Sequence, residues 1–333
     1  MTIKEIHDDV QCLLQSDTGL DKIHGRQAKM AKVAESLNAG GKEGPLLRSR
    51  DAWFSTTQTD VMDKEGKINV QLNDKDIGYL SLDKEMPEKP FYRFHPKPNI
   101  YKALETERSK TGIPSWLWSG KRDAQAINTF IERCDKQYQP KEREIQWQLA
   151  AALTARNKGL GPTALTMLTA VTWNGVFHEV GVCINKEGKL GEKPGNIDLV
   201  VRRGNTPGKN GYLVFEVKKQ KERNIEAALR QALRYATALQ IEANENQQSC
   251  ANYHAVFGAT EKEALKIGAV AVLENSTAVK TKALRLLPQL WADRGESKID
   301  RLGVLLYEFD RVQKKVVFWE WLPGWDAREP RAD

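Results

Sequence analysis

Apolar residues near the start of the chain recur at helical intervals. Ile3, Ile6, Val10, Leu13 and Leu14 fall along one helix face, and a second helical segment runs from about Gly25 to Leu37, so residues 3–38 are expected to be helical. A Gly-rich break over residues 39–45 ends the stretch. The period then shortens to two. Trp53–Ser55, Lys67–Leu72 and Ile77–Leu82 read as short strands, with a turn at Asn73–Asp76 between the last two. Prolines 87, 90, 96 and 98 predict a loop or linker there. Helical spacing returns at about residues 100–110 and 121–137.

Pro140 suits the first turn of a new helix, which the pattern carries from about Lys141 to Arg156. The apolar run Ala164–Val171 reads as a short helix. Strands are expected at about 176–184, 196–203 and 211–218, then a helix at 224–242 and a strand at Tyr253–Gly258. Helices at about 261–273 and 279–293 come next, and two strands, Leu302–Phe309 and Val316–Leu322, close the pattern. The tail, residues 327–333, is expected to be disordered. The order predicts an α/β protein in two parts: an α+β N-terminal region over residues 1–138 and an α/β domain over 139–326 with a C-terminal helix and β-hairpin extension.

Composition adds a class and a bias. With 333 residues, 40% hydrophobic and 29% charged, the chain matches an ordinary globular protein with room for two domains. The formal net charge is +7. Residues 1–140 hold 22 Lys+Arg against 21 Asp+Glu, and the remainder 29 against 23, so the basic excess travels with the second part. That suits a polyanionic partner. Cys12, Cys134, Cys183 and Cys250 form no C-x-x-C pair, so four reduced thiols are expected rather than a zinc site or a disulfide framework. The N-terminus carries no apolar signal core. No stretch approaches the roughly 18 apolar residues of a membrane span. A cytoplasmic protein without a membrane partner is the expectation.

Chemistry concentrates on two strands. Gly195–Val201 contains Asp198, and Tyr212–Lys218 ends in Glu216, Val217 and Lys218. The Gly204–Gly211 connection is rich in Gly, Asn and Pro, which predicts a hairpin. Folding that hairpin sets Asp198 opposite the Glu216–Lys218 segment. Alternation along a strand puts Glu216 and Lys218 on one face and Val217 on the other. Two carboxylates can hold a hard divalent cation, and a nearby ammonium can orient water and offset charge growing on a phosphodiester. The plain alternative is a solvated strand end.

Helix, three meandering strands, helix, strand, with Asp on the second strand and Glu-x-Lys on the third, resembles the PD-(D/E)XK nuclease superfamily and its restriction-endonuclease-like core. The resemblance covers about residues 141–260, with Ile197 standing where the superfamily pattern has Pro. It implies Mg²⁺, with Mn²⁺ as substitute, held by Asp198, Glu216 and the Val217 carbonyl. It also implies an acid on the first helix, for which Glu142 is preferred and Glu144 the alternative. Gln231 and Tyr235, four apart on one helix face, are similar to the Q-x-x-x-Y pair of RecB-type members, which orders the site and the nearby DNA. Lys219, Lys221, Arg223, Arg230 and Arg234 are candidate phosphate contacts, or else a solvated face.

His178 and His254 are read as structural or surface histidines, and Trp116, Trp118, Trp319, Trp321 and Trp325 as base-stacking or packing aromatics. The expected activity is metal-dependent endonucleolytic hydrolysis of DNA, with RNA left open, in restriction, antiphage defence or DNA processing. Residues 1–138 would supply target recognition, regulation or self-association, through a partner protein or as a homodimer. A non-catalytic nucleic-acid-binding or assembly module on the same fold is the other expectation.

Overall fold

A computed structural model describes residues 2–39, 53–55, 68–72, 75–83, 91–98, 142–154, 176–203, 211–219, 223–257, 263–294, 299–310, 312 and 315–324. The chain opens with α1 (Ile3–Leu14), which starts where Thr2 and Glu5 form a reciprocal cap. The Glu5 N–H donates to Thr2 Oγ1 at 3.0 Å, and the Thr2 N–H donates to Glu5 Oε2 at 2.7 Å. Its buried face is Ile3, Ile6, Val10 and Leu14, and α2 (Asp17–Ala39) follows after a short break.

Among the described residues, four strands come next: β1 (Trp53–Ser55), β2 (Ile68–Leu72), β3 (Lys75–Asp83) and β4 (Phe91–Pro96). β4 corrects the loop expected across the prolines. Pro96 is its last residue and the strand lies at the sheet edge, where no ladder N–H is needed from it. Then come α3 (Glu142–Thr154), β5 (Val176–Ile184), β6 (Leu190–Arg203), β7 (Gly211–Val217) and α4 (Ile225–Asn244). The described chain closes with α5 (Gln247–Val256), β8 (Lys266–Glu274), α6 (Thr277–Ala292), β9 (Ile299–Asp310) and β10 (Lys315–Pro323).

Two elements exchange the types expected for them. Residues 253–256 end a helix instead of forming a strand. The Asn246 side chain caps that helix by accepting from the Ser249 N–H at 2.8 Å, and Ser249, Cys250, Tyr253 and His254 are buried at helical spacing. Residues 266–274 form a strand instead of a helix, because β8 lies between two parallel neighbours, β7 and β9, with Ile267–Leu273 buried. A strand covered on both faces is apolar throughout and shows no alternation.

Among the described residues, the sheet has ten strands in the order β10-β9-β8-β7-β6-β5-β1-β2-β3-β4. β5, β6 and β7 form an antiparallel meander, β7, β8 and β9 run parallel, and β10 returns antiparallel to β9. One face carries a hydrophobic cluster built with α1, α2, α4, α5 and α6. The other carries a smaller cluster in which Ile145, Leu149, Ala150 and Leu153 of α3 meet Phe215, Val217, Tyr307, Trp319 and Trp321. Helices α1 and α2 are therefore part of the main core, although they precede the boundary expected at residue 138. The elements expected at 100–110, 121–137 and 164–171, the hairpin loop 204–210, the 327–333 tail, and Cys134, Trp116, Trp118 and Trp325 lie outside the described residues. Among the described residues, no helix is long and apolar enough to cross a membrane.

Candidate functional site

Strand alternation aims the candidate chemistry. Along β7, Leu213, Phe215 and Val217 enter the cluster on the α3 side, while Tyr212 and Val214 enter the one on the α4 side. Glu216 and Lys218 share the parity of Tyr212 and Val214, so both project toward α4. Glu216 is almost wholly buried. The Lys218 ammonium stands 2.6 Å from Glu216 Oε1 and donates to Gln231 Oε1 at 2.9 Å. Gln231 Nε2 in turn donates to the Tyr235 hydroxyl at 3.3 Å. The helical i, i+4 pair thus reaches the strand pair through a continuous hydrogen-bonded chain.

Asp198 completes the group from the neighbouring strand. The β6–β7 pairing runs from Arg203↔Gly211 to Leu199↔Phe215. One position further, Asp198 Oδ2 accepts the Val217 N–H at 2.6 Å. A side chain here takes a backbone donor at the end of the ladder, where an unmade bond would leave a buried N–H. The register expected from the hairpin is therefore present, and it sets Asp198 opposite Glu216.

Convergence of the two carboxylates also shows in Tyr235. Its phenol is pushed well above the ordinary tyrosine value, first by burial and then by Glu216, with a smaller push from Asp198 and an opposing pull from its Gln231 hydrogen bond. Two carboxylates from adjoining strands are hard oxygen donors of the kind that one divalent cation takes together with waters. The donor set fits such an ion. Among the described residues, no group of three or more His, Cys, Asp or Glu is arranged to hold a metal. The side chains of Glu142 and Glu144, at the start of α3, lie outside the described ones.

The backbone of Lys218 is held as firmly as its side chain. Its N–H donates to the Val272 carbonyl at 2.9 Å, and its carbonyl accepts from the Tyr307 hydroxyl at 3.0 Å. Sequence reasoning missed Tyr307. The available signal was a phenol at the end of the apolar run Gly303–Leu306, where a hydroxyl needs a partner once buried.

Other candidate residues separate by position. Lys219 and Arg223 are exposed on either side of the segment that holds Lys221, which is not among the described residues. Arg234 is half-buried against the β5–β6 turn. Gly188 there has φ of 76°, and a Cβ on it would lie 2.8 Å from Arg234 Nε. Burial first, and Arg230 second, lower the Arg234 pKa, while Asp9 opposes them. Tyr235 is buried, so it offers no stacking face to a base. Trp319 and Trp321 are buried in the α3-side cluster.

His254 lies in α5 with a structural role. Its Nε2 stands 2.7 Å from the Glu263 carbonyl, which only accepts, so Nε2 carries the proton. Nδ1 lies 2.7 Å from the Tyr212 hydroxyl.

A second buried polar group lies apart from these contacts. Glu242 Oε1 accepts the Cys183 N–H at 2.6 Å, and Oε2 accepts from Tyr253 OH at 3.1 Å. Arg26 of α2 donates to the Gly181 carbonyl at 2.9 Å. Burial raises the Glu242 pKa, and the Arg26 charge opposes the rise. This network ties α2 to β5, α4 and α5. No protein-family model, curated protein or solved structure matches the chain.

Proposed function

We propose that this protein is a divalent-metal-dependent nuclease that hydrolyses DNA phosphodiester bonds, built on a restriction-endonuclease-like core. The observation that carries the reading is the meeting of Asp198, Glu216, Lys218 and Gln231 at one end of the β6–β7 pair. The element order supports it: α3, the antiparallel β5–β6–β7 meander, α4, then β8 parallel to β7, with α5 inserted before β8.

Asp198 and Glu216 would hold Mg²⁺ or Mn²⁺, with the Val217 carbonyl as a further oxygen and Glu142 as the preferred helix acid. Such a cation supplies a Lewis acid that neutralises phosphate charge and acidifies a water. Lys218, fixed between Glu216 and Gln231, orients the attacking water and offsets the charge that grows on the phosphoryl oxygens. Gln231 positions the ammonium and Tyr235 positions Gln231. Exposed Lys219 and Arg223 meet the phosphate backbone, with Lys221 between them. Restriction or antiphage defence is the proposed setting, with a homodimer placing one site on each strand.

One observation favours a second reading, a non-catalytic nucleic-acid-binding or assembly module. Asp198 Oδ2 and Glu216 Oε1 are each engaged by the protein's own donors, the Val217 N–H and Lys218. Plasmid incubated with the protein in Mg²⁺ or in EDTA separates the two. Metal-dependent nicking that vanishes in Asp198→Asn and Lys218→Met supports the nuclease. Cleavage that survives both substitutions sinks the mechanism, and a DNA mobility shift without cleavage in any metal favours the module.

A further inference from the structure

We propose that Tyr307 is a positioning residue for Lys218, with a catalytic consequence that rests on the nuclease reading above. Lys218 is the first residue past the end of β7, where the strand no longer dictates the backbone. A residue at such a place swings unless something outside the strand holds it. Tyr307 reaches it from β9, two strands away, and donates its hydroxyl to the Lys218 carbonyl at 3.0 Å. The Val272 carbonyl of the intervening strand takes the Lys218 N–H at 2.9 Å. The peptide groups on both sides of the Lys218 Cα are thereby fixed, and the side chain leaves toward Glu216 and Gln231.

Tyr307 itself is anchored. It is fully buried, and its ring lies 6.3 Å from that of Trp319 with the planes tilted by 54°. Its own carbonyl accepts the Asn275 N–H at 2.7 Å, which fixes the loop after β8 to the same residue. Its surroundings in the α3-side cluster are apolar. Phe would fill that space without a hydroxyl to satisfy, so packing alone does not ask for a tyrosine. What the hydroxyl adds is a bond directed at the backbone of the proposed catalytic lysine.

Tyr307→Phe tests this, because it removes the hydroxyl and keeps the ring. Two readouts are needed. The first is independent of cleavage: limited reductive methylation, followed by peptide mass spectrometry, with exposed Lys186 as the internal reference. Lys218, only 18% exposed, is expected to react several-fold faster in the variant. The second is the kinetic split: kcat on plasmid should fall by about tenfold, as for loss of one bond that orients a reacting group, with KM for DNA and Tm little changed. Unchanged Lys218 labelling overturns the proposal, and so does a fall in kcat matched by equal losses in KM and Tm. If wild-type protein cleaves no DNA, the nuclease reading fails, and the labelling ratio still decides whether Tyr307 holds Lys218.

Discussion

The ammonium of Lys218 lies 2.6 Å from Oε1 of Glu216, a carboxylate almost wholly buried in the sheet face. A positive charge therefore already balances Glu216 at the point where a divalent cation is proposed to bind, and the two cations compete for one carboxylate. Lys218→Met keeps most of the stem and removes the competitor. Mn²⁺ affinity, read from free-ion resonance at mildly alkaline pH, is expected to rise by about threefold to tenfold while cleavage disappears. Equal or weaker Mn²⁺ binding in the variant would show that the metal does not meet Glu216.

Asp198 accepts the Val217 N–H and is proposed to hold the metal, and a pair of substitutions separates the two. Asn retains an oxygen for the Val217 N–H, so Asp198→Asn should melt close to the wild type and yet lose metal-dependent cleavage. Asp198→Ala strands that N–H and should cost about 1–3 kcal/mol in urea denaturation as well. Equal stability of the two variants would contradict the structural half of the assignment.

Both oxygens of Glu242 accept hydrogen bonds, from Cys183 N–H and Tyr253 OH, in a fully buried setting near Arg26. In Glu242→Gln the amide can still serve both partners, because the Tyr253 hydroxyl can accept as well as donate, so the cost falls on the Arg26 charge, which loses the carboxylate near it. The expected loss is about 2–4 kcal/mol in chemical denaturation. A loss within experimental error would mean that the network does not fasten α2 to the core.

Burial first, and Glu216 next, push the Tyr235 phenol up. A raised native value means that the folded protein holds this proton more tightly than the unfolded chain. The associated stability is fully present below the ordinary tyrosine pKa of about 10 and is lost as pH rises through the native value. The alkaline limb of the stability curve should flatten in Tyr235→Phe. Glu216→Gln should bring the Tyr235 ionisation, followed by tyrosinate absorbance as the difference from Tyr235→Phe backgrounds, to lower pH. An ionisation unmoved by Glu216→Gln would place the two groups too far apart to form one site.

Much of the candidate site was legible because it depends on short repeats. The two-residue period of β7 puts Glu216 and Lys218 on one face wherever the strand ends up. The turn of α4 does the same for Gln231 and Tyr235. The β6–β7 register followed from a short connection rich in turn residues, and it brought Asp198 to Val217 as the hairpin requires. Other parts were not legible. Ile267–Leu273 is apolar throughout, so period could not separate strand from helix, and its place between parallel β7 and β9 decided it.

Long-range partnership lay beyond the sequence for the same physical reason. Lys218 and Tyr307 are 89 residues apart, and Arg26 and Gly181 are 155 apart. Local spacing alone determined which residues share a face, because backbone geometry sets that within a few residues. Which faces meet, and which buried hydroxyl, carboxylate or guanidinium finds which partner, was decided only when the strands and helices closed around common cores. There each buried polar group had to be paired with whatever the packing brought within reach.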